Sequence, residues 1–208
     1  MIFLRFTDKI ESEFPGSIRR TDRRGAETGA EKRMIYTTAY DSPLGPLILR
    51  SDGEALTALH FGVWKYAREE PEAEQRDDLP IFHQAAVWLD AYFAGKNPGP
   101  VPELSSQGSA FRRLVWAELR KIPSGQLTTY GAIAAQLAER TGRRVSAQAV
   151  GGAVGHNPIG ILIPCHRVVG ADGSLTGFAA GLDVKVALLQ VEGTDLDGLY
   201  RPSCGTAL

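Results

Sequence analysis

Between residues 97 and 108 the chain reads NPGPVPELSSQG. Three prolines and two glycines in so short a stretch can carry neither a helix nor a sheet ladder. This break divides the chain into two parts with different hydrophobic periods. Upstream, from Met34, short runs rich in β-branched and aromatic residues follow one another: MIYTTAY, PLILRS and ALTALHF, the last two joined by the turn pair Asp52-Gly53. An acidic loop, REEPEAEQRDD, comes next. The segment PIFHQAAVWLDAYFAG then places Phe82, Ala85, Ala86, Leu89 and Phe93 on one helical face, with Gly95 as its stop. Downstream, the period is helical. Ser109 is placed to cap a helix holding Phe111, Leu114, Val115, Leu119 and Ile122, stopped by Pro123; Thr128 or Thr129 caps a second, YGAIAAQLAER; Ser146 caps a third, AQAVGGAVGH, ended by Asn157-Pro158. A last helix, LDVKVALLQVEG, has Val184, Leu188 and Val191 on one face.

The expected fold is therefore a small antiparallel sheet plus a helix, an α/β N-terminal domain, followed by a mainly helical C-terminal domain. Expected boundaries are a flexible extension at 1–33, the α/β domain at 34–100, a linker at 101–108, the second domain at 109–194 and a tail at 195–208. The extension is polar and Arg/Glu-rich, which gives it little apolar surface to bury. A helix, a short loop and a helix of small residues are consistent with a helix-turn-helix.

Composition narrows the function classes. At 208 residues and 43% hydrophobic content the chain can bury a real core. No apolar run approaches the roughly 20 residues that span a bilayer, and no signal peptide stands at the N-terminus, so no membrane partner is expected. Two cysteines, Cys165 and Cys204, make no disulfide framework, and a reducing, cytoplasmic setting is expected. The net charge is −1, but it is unevenly spread. Residues 109–194 hold 9 Lys/Arg against 5 Asp/Glu, and residues 34–108 hold 5 against 11. A mildly basic second half permits a nucleic-acid face.

Two features stand out in that half. In the third helix Ala147, Ala149, Gly151, Gly152, Ala153 and Gly155 leave almost no side-chain bulk. Each glycine costs about 1 kcal/mol of helix stability against alanine, so something must approach this backbone closely, either another helix or DNA. GGAVG is not followed by Gly-Lys-Ser/Thr, which sets phosphate-loop chemistry aside. The second feature is Cys165, in GHNPIGILIPCHRVVG. As core filler it needs no neighbours. As a zinc ligand it would need partners at short spacing, and Cys204 is too distant; no metal and no cofactor are expected. As a nucleophile it needs a base or a positive field, and His166 and Arg167 come directly after it.

PCHRV, preceded by GHNPIGILI and followed by VVGADGSLTGFAAGLDVKVALLQVEG, resembles the O6-alkylguanine-DNA alkyltransferases, also called methylated-DNA–protein-cysteine methyltransferases. GSAFRRLVWAELRKIPSGQLTTYGAIAAQL and DSPLGPLIL fit the same family, and the resemblance runs from about Met34 to Gly193. It implies a ribonuclease-H-like N-terminal domain and a C-terminal domain that binds duplex DNA through the minor groove by its helix-turn-helix. The partner implied is duplex DNA carrying O6-alkylguanine, and the protein acts as a monomer. The damaged base is flipped into a pocket, and its alkyl group passes to the cysteine once only.

The resemblance also implies roles. Cys165 is the acceptor; His166 is the base, acting through a water in the family; Glu192 orients the imidazole. Asn157 bridges the helix-turn-helix and the active-site loop, and Tyr130 donates to guanine N3. Val168, Phe178, Ala179 and Ala180 belong to the pocket wall, with the Ala179 backbone N–H facing O6. Thr129, Tyr130, Ala147, Gln148, Ala149, Gly151 and Gly152 face DNA. Two positions depart from the family pattern. Gln148 stands where an arginine often fills the gap left by the flipped base. Ala180 stands where a glycine is usual, and its methyl crowds the pocket. The loop ERTGRRVS is a few residues long for the family and offers Arg140, Arg143 and Arg144 to phosphates. His60 and His83 are expected to be ordinary surface or core residues. A cysteine hydrolase using Cys165, His166 and Glu192, or a non-catalytic lesion binder, are the competing readings; Cys165 speaks against the second.

Overall fold

The structure, a computed structural model, describes residues 34–62 and 72–202. The expected N-terminal extension and Cys204 lie outside the described residues. Three strands form as the sequence predicts: β1 (Ile35–Ser42), β2 (Gly45–Ser51) and β3 (Leu56–Phe61). β1 and β3 each pair antiparallel with β2, and Leu47, Leu49 and Ser51 alternate into the core as a period of two requires. The sheet is not wholly antiparallel, however. β4 (Ala73–Gln75), inside the acidic stretch expected to be a loop, pairs parallel with β1, giving the order β3-β2-β1-β4. Three residues among acids carry no periodic signal, and backbone pairing alone makes this strand.

Helix α1 (Pro80–Phe93) packs on the sheet, with proline in its first turn where the missing N–H costs nothing. Its buried face is Ile81, Phe82, Ala85, Trp88, Leu89 and Tyr92. Trp88 and Tyr92 thus take the inward positions that periodicity alone gave to Ala86 and Phe93.

The linker is not a free tether. Leu56 N–H donates to Glu103 O at 2.9 Å, and Ser105 N–H donates to Leu56 O at 2.8 Å, so this segment lies along β3. Beyond it come α2 (Ala110–Leu119), β5 (Thr128–Thr129), α3 (Tyr130–Thr141), α4 (Ala147–Gly155), a 3-10 turn (Cys165–Arg167), β6 (Val168–Val169) and α5 (Leu182–Val191). The predicted caps form. Ser109 Oγ accepts from Arg112 N–H, Thr129 Oγ1 from Ala132 N–H, and Ser146 Oγ from Ala149 N–H. Two side chains lock α2 to its neighbours. Trp116 Nε1 donates to Ala153 O at 2.9 Å, joining α2 to α4. The buried Glu118 accepts from Lys121 and Arg140, joining α2 to α3.

Residues 195–202 pack back on the fold rather than trailing as a tail. Leu196 and Leu199 join Val169, Leu175 and Leu189 in an apolar cluster. Leu175 N–H donates to Tyr200 O at 2.9 Å and Tyr200 N–H to Gly173 O at 3.2 Å. Gly173, at φ +87°, must be glycine, because a Cβ there would stand 2.4 Å from Gly198 O. Among the described residues no helix is long and apolar enough to cross a membrane.

Replacing Glu118 by alanine removes a carboxylate partner of Arg140 in a half-buried site. The expected cost is about 2 kcal/mol, read as a lower urea midpoint with an unchanged slope.

Candidate active site

The loop from Asn157 to Pro164 is built to present Cys165. Leu59 N–H of β3 donates to Pro158 O at 2.9 Å, and Gly160 N–H donates back to Leu59 O at 2.7 Å. Asn157, almost fully buried, staples the two limbs of the loop. Its Nδ2 donates to Ile163 O at 2.7 Å and its Oδ1 accepts from Ile159 N–H at 3.1 Å. Between these anchors Ile161 adopts φ +64°, a left-handed conformation that a β-branched residue takes at a cost of about 1–3 kcal/mol. Burial of Ile159, Ile161, Leu162 and Ile163 holds it there. The chain then turns through Pro164 into the 3-10 turn, where Cys165 is partly exposed and His166 is completely buried.

His166 lies against Glu192, which caps the end of α5. The distance from His166 Nε2 to Glu192 Oε1 is 2.7 Å. An ionised carboxylate only accepts, so Nε2 carries the proton and Nδ1 keeps its lone pair. Nδ1 is buried, with no hydrogen-bond partner among the described residues. Arg167 grips the same carboxylate with two donors, Nε to Oε2 and Nη2 to Oε1, each at 2.8 Å, and its Nη1 donates to Ile122 O. Burial alone would raise the Glu192 carboxyl, but the hydrogen bonds and charges of His166 and Arg167 outweigh it and bring its pKa down to about 2. Burial lowers the His166 pKa, against the Glu192 hydrogen bond and charge and with the Arg167 and Lys185 charges adding to the fall. The imidazole is neutral at rest.

Burial raises the Cys165 thiol, opposed by Asn157, by the charge of Lys185 and by backbone N–H groups. Lys185 was invisible as a site residue in LDVKVALLQVEG, yet it is wholly buried. Its Nζ donates to Val168 O at 2.6 Å and Thr176 O at 3.1 Å. Burial pulls its pKa down to about 8, against the favourable charge of Cys165. A lysine among apolar helix positions was the available signal. Thr176 O also accepts the Tyr130 hydroxyl at 3.0 Å, and burial pushes the Tyr130 phenol up to about 12.

A cavity of about 40 Å³ opens beside Cys165, lined by Asn157, Phe178, Ala179 and Ala180, and by His60 and Phe61 from β3. His60, expected to be ordinary, is thus part of this wall. Val168 is not. It is fully buried, and its backbone pairs with that of Thr128.

α3 and α4 form the helix pair expected from the sequence. Ala147, Gln148 and Ala149 are exposed at the start of α4, next to its capping Ser146. Thr129 and Tyr130 stand at the start of α3, Thr129 as its cap. The adjacent glycines Gly151 and Gly152 of α4 divide. Gly152 has open space around the position of a Cβ, while Gly151 is buried. Arg140 is engaged by Glu118; Arg143 and Arg144 are exposed.

Residues 110–194 match the family described as 6-O-methylguanine DNA methyltransferase, DNA binding domain, and residues 35–99 match its ribonuclease-like domain. The chain belongs to this methyltransferase family. Among similar proteins, the Haemophilus influenzae methylated-DNA–protein-cysteine methyltransferase is 43% identical over 160 residues, covering 76% of this chain and 86% of that one. The Methanosarcina acetivorans protein of the same name is 40% identical over 160 residues, covering 77% and 99%. In three dimensions the chain resembles the Mycobacterium tuberculosis O6-methylguanine methyltransferase, with TM-score 0.65, 40% identity, and coverage of 76% of this chain and 93% of that one. It resembles equally the Mycobacterium tuberculosis OGT solved in complex with DNA, with TM-score 0.65, 40% identity, and coverage of 76% and 92%. The α/β half of this methyltransferase family member is accordingly its ribonuclease-like domain, carrying one parallel edge strand.

Glu192→Gln removes the anion that His166 and Arg167 share and is expected to cost about 3 kcal/mol at neutral pH. Because the folded pKa of Glu192 is about 2 against an ordinary 4.5, its contribution is complete above pH 4.5 and is lost as pH falls toward 2. Urea unfolding of both proteins from pH 7 to pH 2.5 is expected to give curves that converge as pH falls through this range.

Proposed function

We propose that this chain reverses DNA alkylation directly, moving the alkyl group of O6-alkylguanine from duplex DNA to Cys165. The observation that carries the reading is the buried relay of His166 and Glu192 beside a partly exposed cysteine, in a chain that belongs to the 6-O-methylguanine DNA methyltransferase family. The resting thiol is kept protonated by burial, so it needs a base to become a nucleophile. His166 takes that proton at Nδ1 by way of a water, because Nε2 is committed to Glu192. The imidazolium faces the Glu192 carboxylate, and the new thiolate has the Lys185 charge nearby.

The sulfur then attacks the alkyl carbon in line. The carbon–oxygen bond breaks, its electron pair returns to the guanine, and a carbon–sulfur bond forms. Tyr130, whose hydroxyl rests on Thr176 O, exchanges that partner for guanine N3 and helps the base leave neutral. A thioether is a very poor leaving group, so each molecule acts once. Access requires the base to be flipped from the stack. Exposed Ala147, Gln148 and Ala149, with Gly152 open beside them, support close approach of α4 to a minor groove. Gln148 fills the gap without adding charge. The domain assignment accords with the same reading, with a structural α/β domain at 34–100 and the alkyltransferase and DNA-binding domain at 109–194. A monomer in the reducing cytoplasm suits an acceptor thiol that must stay reduced.

Incubation with a duplex holding one O6-methylguanine is expected to add about 14 Da to the intact protein, one CH₂ on the thiol, and Cys165→Ala to add nothing. His166→Ala is expected to slow the transfer by about a hundredfold or more. Tight binding with no mass gain would replace this reading with that of a lesion binder. Ala180 lines the cavity beside Cys165, where its methyl crowds a benzyl group more than a methyl. A benzylated free guanine is accordingly expected to inactivate the protein poorly, and Ala180→Gly to improve that reaction in a competition assay.

A further inference from the structure

The carboxylate of Glu192 has one more partner, and it comes from the other half of the chain. The Tyr92 hydroxyl, near the end of α1, donates to Glu192 Oε1 at 2.8 Å. That oxygen already accepts His166 Nε2 at 2.7 Å and Arg167 Nη2 at 2.8 Å. Three short contacts fill one carboxylate oxygen, and Oε2 is left with Arg167 Nε at 2.8 Å and a longer approach from Gly125 N–H at 3.4 Å. Tyr92 is fixed for this position. It is 5% exposed, its ring stacks on Trp88 with centroids 5.4 Å apart at 12°, and it meets Phe93 edge-on at 5.3 Å and 78°. A side chain with two torsions, gripped on two sides, delivers its hydroxyl to one place. Burial and the neighbouring Glu192 charge push the phenol far above its ordinary pKa, so it stays a donor throughout any working range.

We propose that Tyr92 is a positioning residue of the alkyl-transfer site: it fixes the rotamer of Glu192 and takes up part of its negative charge, and so governs how strongly His166 holds a proton. This rests on the alkyl-transfer reading for its catalytic meaning, though not for the coupling itself. The charged and titratable groups around the pair define the sign. Glu192 at the end of α5 is faced by His166 and Arg167 from the 3-10 turn and by Tyr92 from α1. His166 is faced by Glu192 and Lys185 from α5 and by Arg167 from its own turn, with Cys165 adjacent in sequence. Arg167 and Lys185 oppose an imidazolium, and Glu192 favours it. A hydrogen bond that spreads the Glu192 charge onto a phenol weakens that favour. Losing it returns charge to Oε1 and strengthens the hold of His166 on its proton.

The test is Tyr92→Phe in the full chain, which keeps the ring and its stacking on Trp88. The His166 imidazole is titrated by NMR, and the rate of methyl transfer from an O6-methylguanine duplex is measured against pH. The expected result is an upward move of the His166 midpoint by about 0.5 to 1 pH unit, with the acid limb of the rate profile moving the same way. Replacing Tyr92 with a ring-fluorinated tyrosine, a stronger donor of the same shape, is expected to move the midpoint downward. That opposite sign cannot come from a packing defect, and it keeps the test decisive if the phenylalanine variant folds poorly. An unmoved midpoint in both variants overturns the proposal, as does a rate that falls by the same factor at every pH. A wild-type protein that gains no methyl while the midpoint still moves supports the coupling and overturns the alkyl-transfer reading alone.

Discussion

A buried carboxylate is expensive unless its charge is matched; Arg167 matches that of Glu192, and the neutral His166 donates a hydrogen bond to it. In the proposed reaction this arrangement has a direct chemical use. Moving the thiol proton to the imidazole converts two neutral groups into an anion and a cation. The charges then alternate along the site: Lys185 cation, thiolate, imidazolium, Glu192 anion, Arg167 cation. Each new charge forms next to an opposite one that is already in place, so the environment is better suited to the reacting state than to the resting one. Arg167 is in this sense structural. It keeps Glu192 ionised in a place where burial would otherwise protonate it.

The strain at Ile161 belongs to the same design. A loop that carries a buried isoleucine in a left-handed conformation needs anchors on both sides. Asn157 provides one within the loop, and the Leu59 backbone provides another from the sheet. The α/β half thus holds the backbone that leads into Cys165, the cavity wall at His60 and Phe61, and one donor to Glu192.

What could be read in the sequence was whatever local chemistry decides. The strands of the first half, the caps Ser109, Thr129 and Ser146, and the turn around Cys165 arise from side-chain periodicity and short-range hydrogen bonds. The pairing of His166 with Glu192 came from resemblance, since 25 intervening residues hide it from any local pattern. What stayed illegible was settled by long-range packing. β4 has no alternation to betray it. Tyr92 sits next to Phe93, and a helical period cannot decide which of two adjacent aromatics turns inward. Lys185 looks like a solvated residue until its two carbonyl acceptors are in place. Gly151 and Gly152 look alike in sequence, yet one is buried and the other has open space beside it.

The pairing of β3 with the loop at Pro158 and Gly160 has a consequence for how the chain acquires its chemistry. Contacts between residues so far apart in sequence carry a loop-closure cost that nearby contacts avoid. The helices of the second half can cap themselves and pack early, but the loop geometry and the Tyr92 hydrogen bond, which spans 100 residues, must wait for both halves. The anchoring of the loop that carries Cys165, and one donor to Glu192, are therefore complete only in the finished molecule.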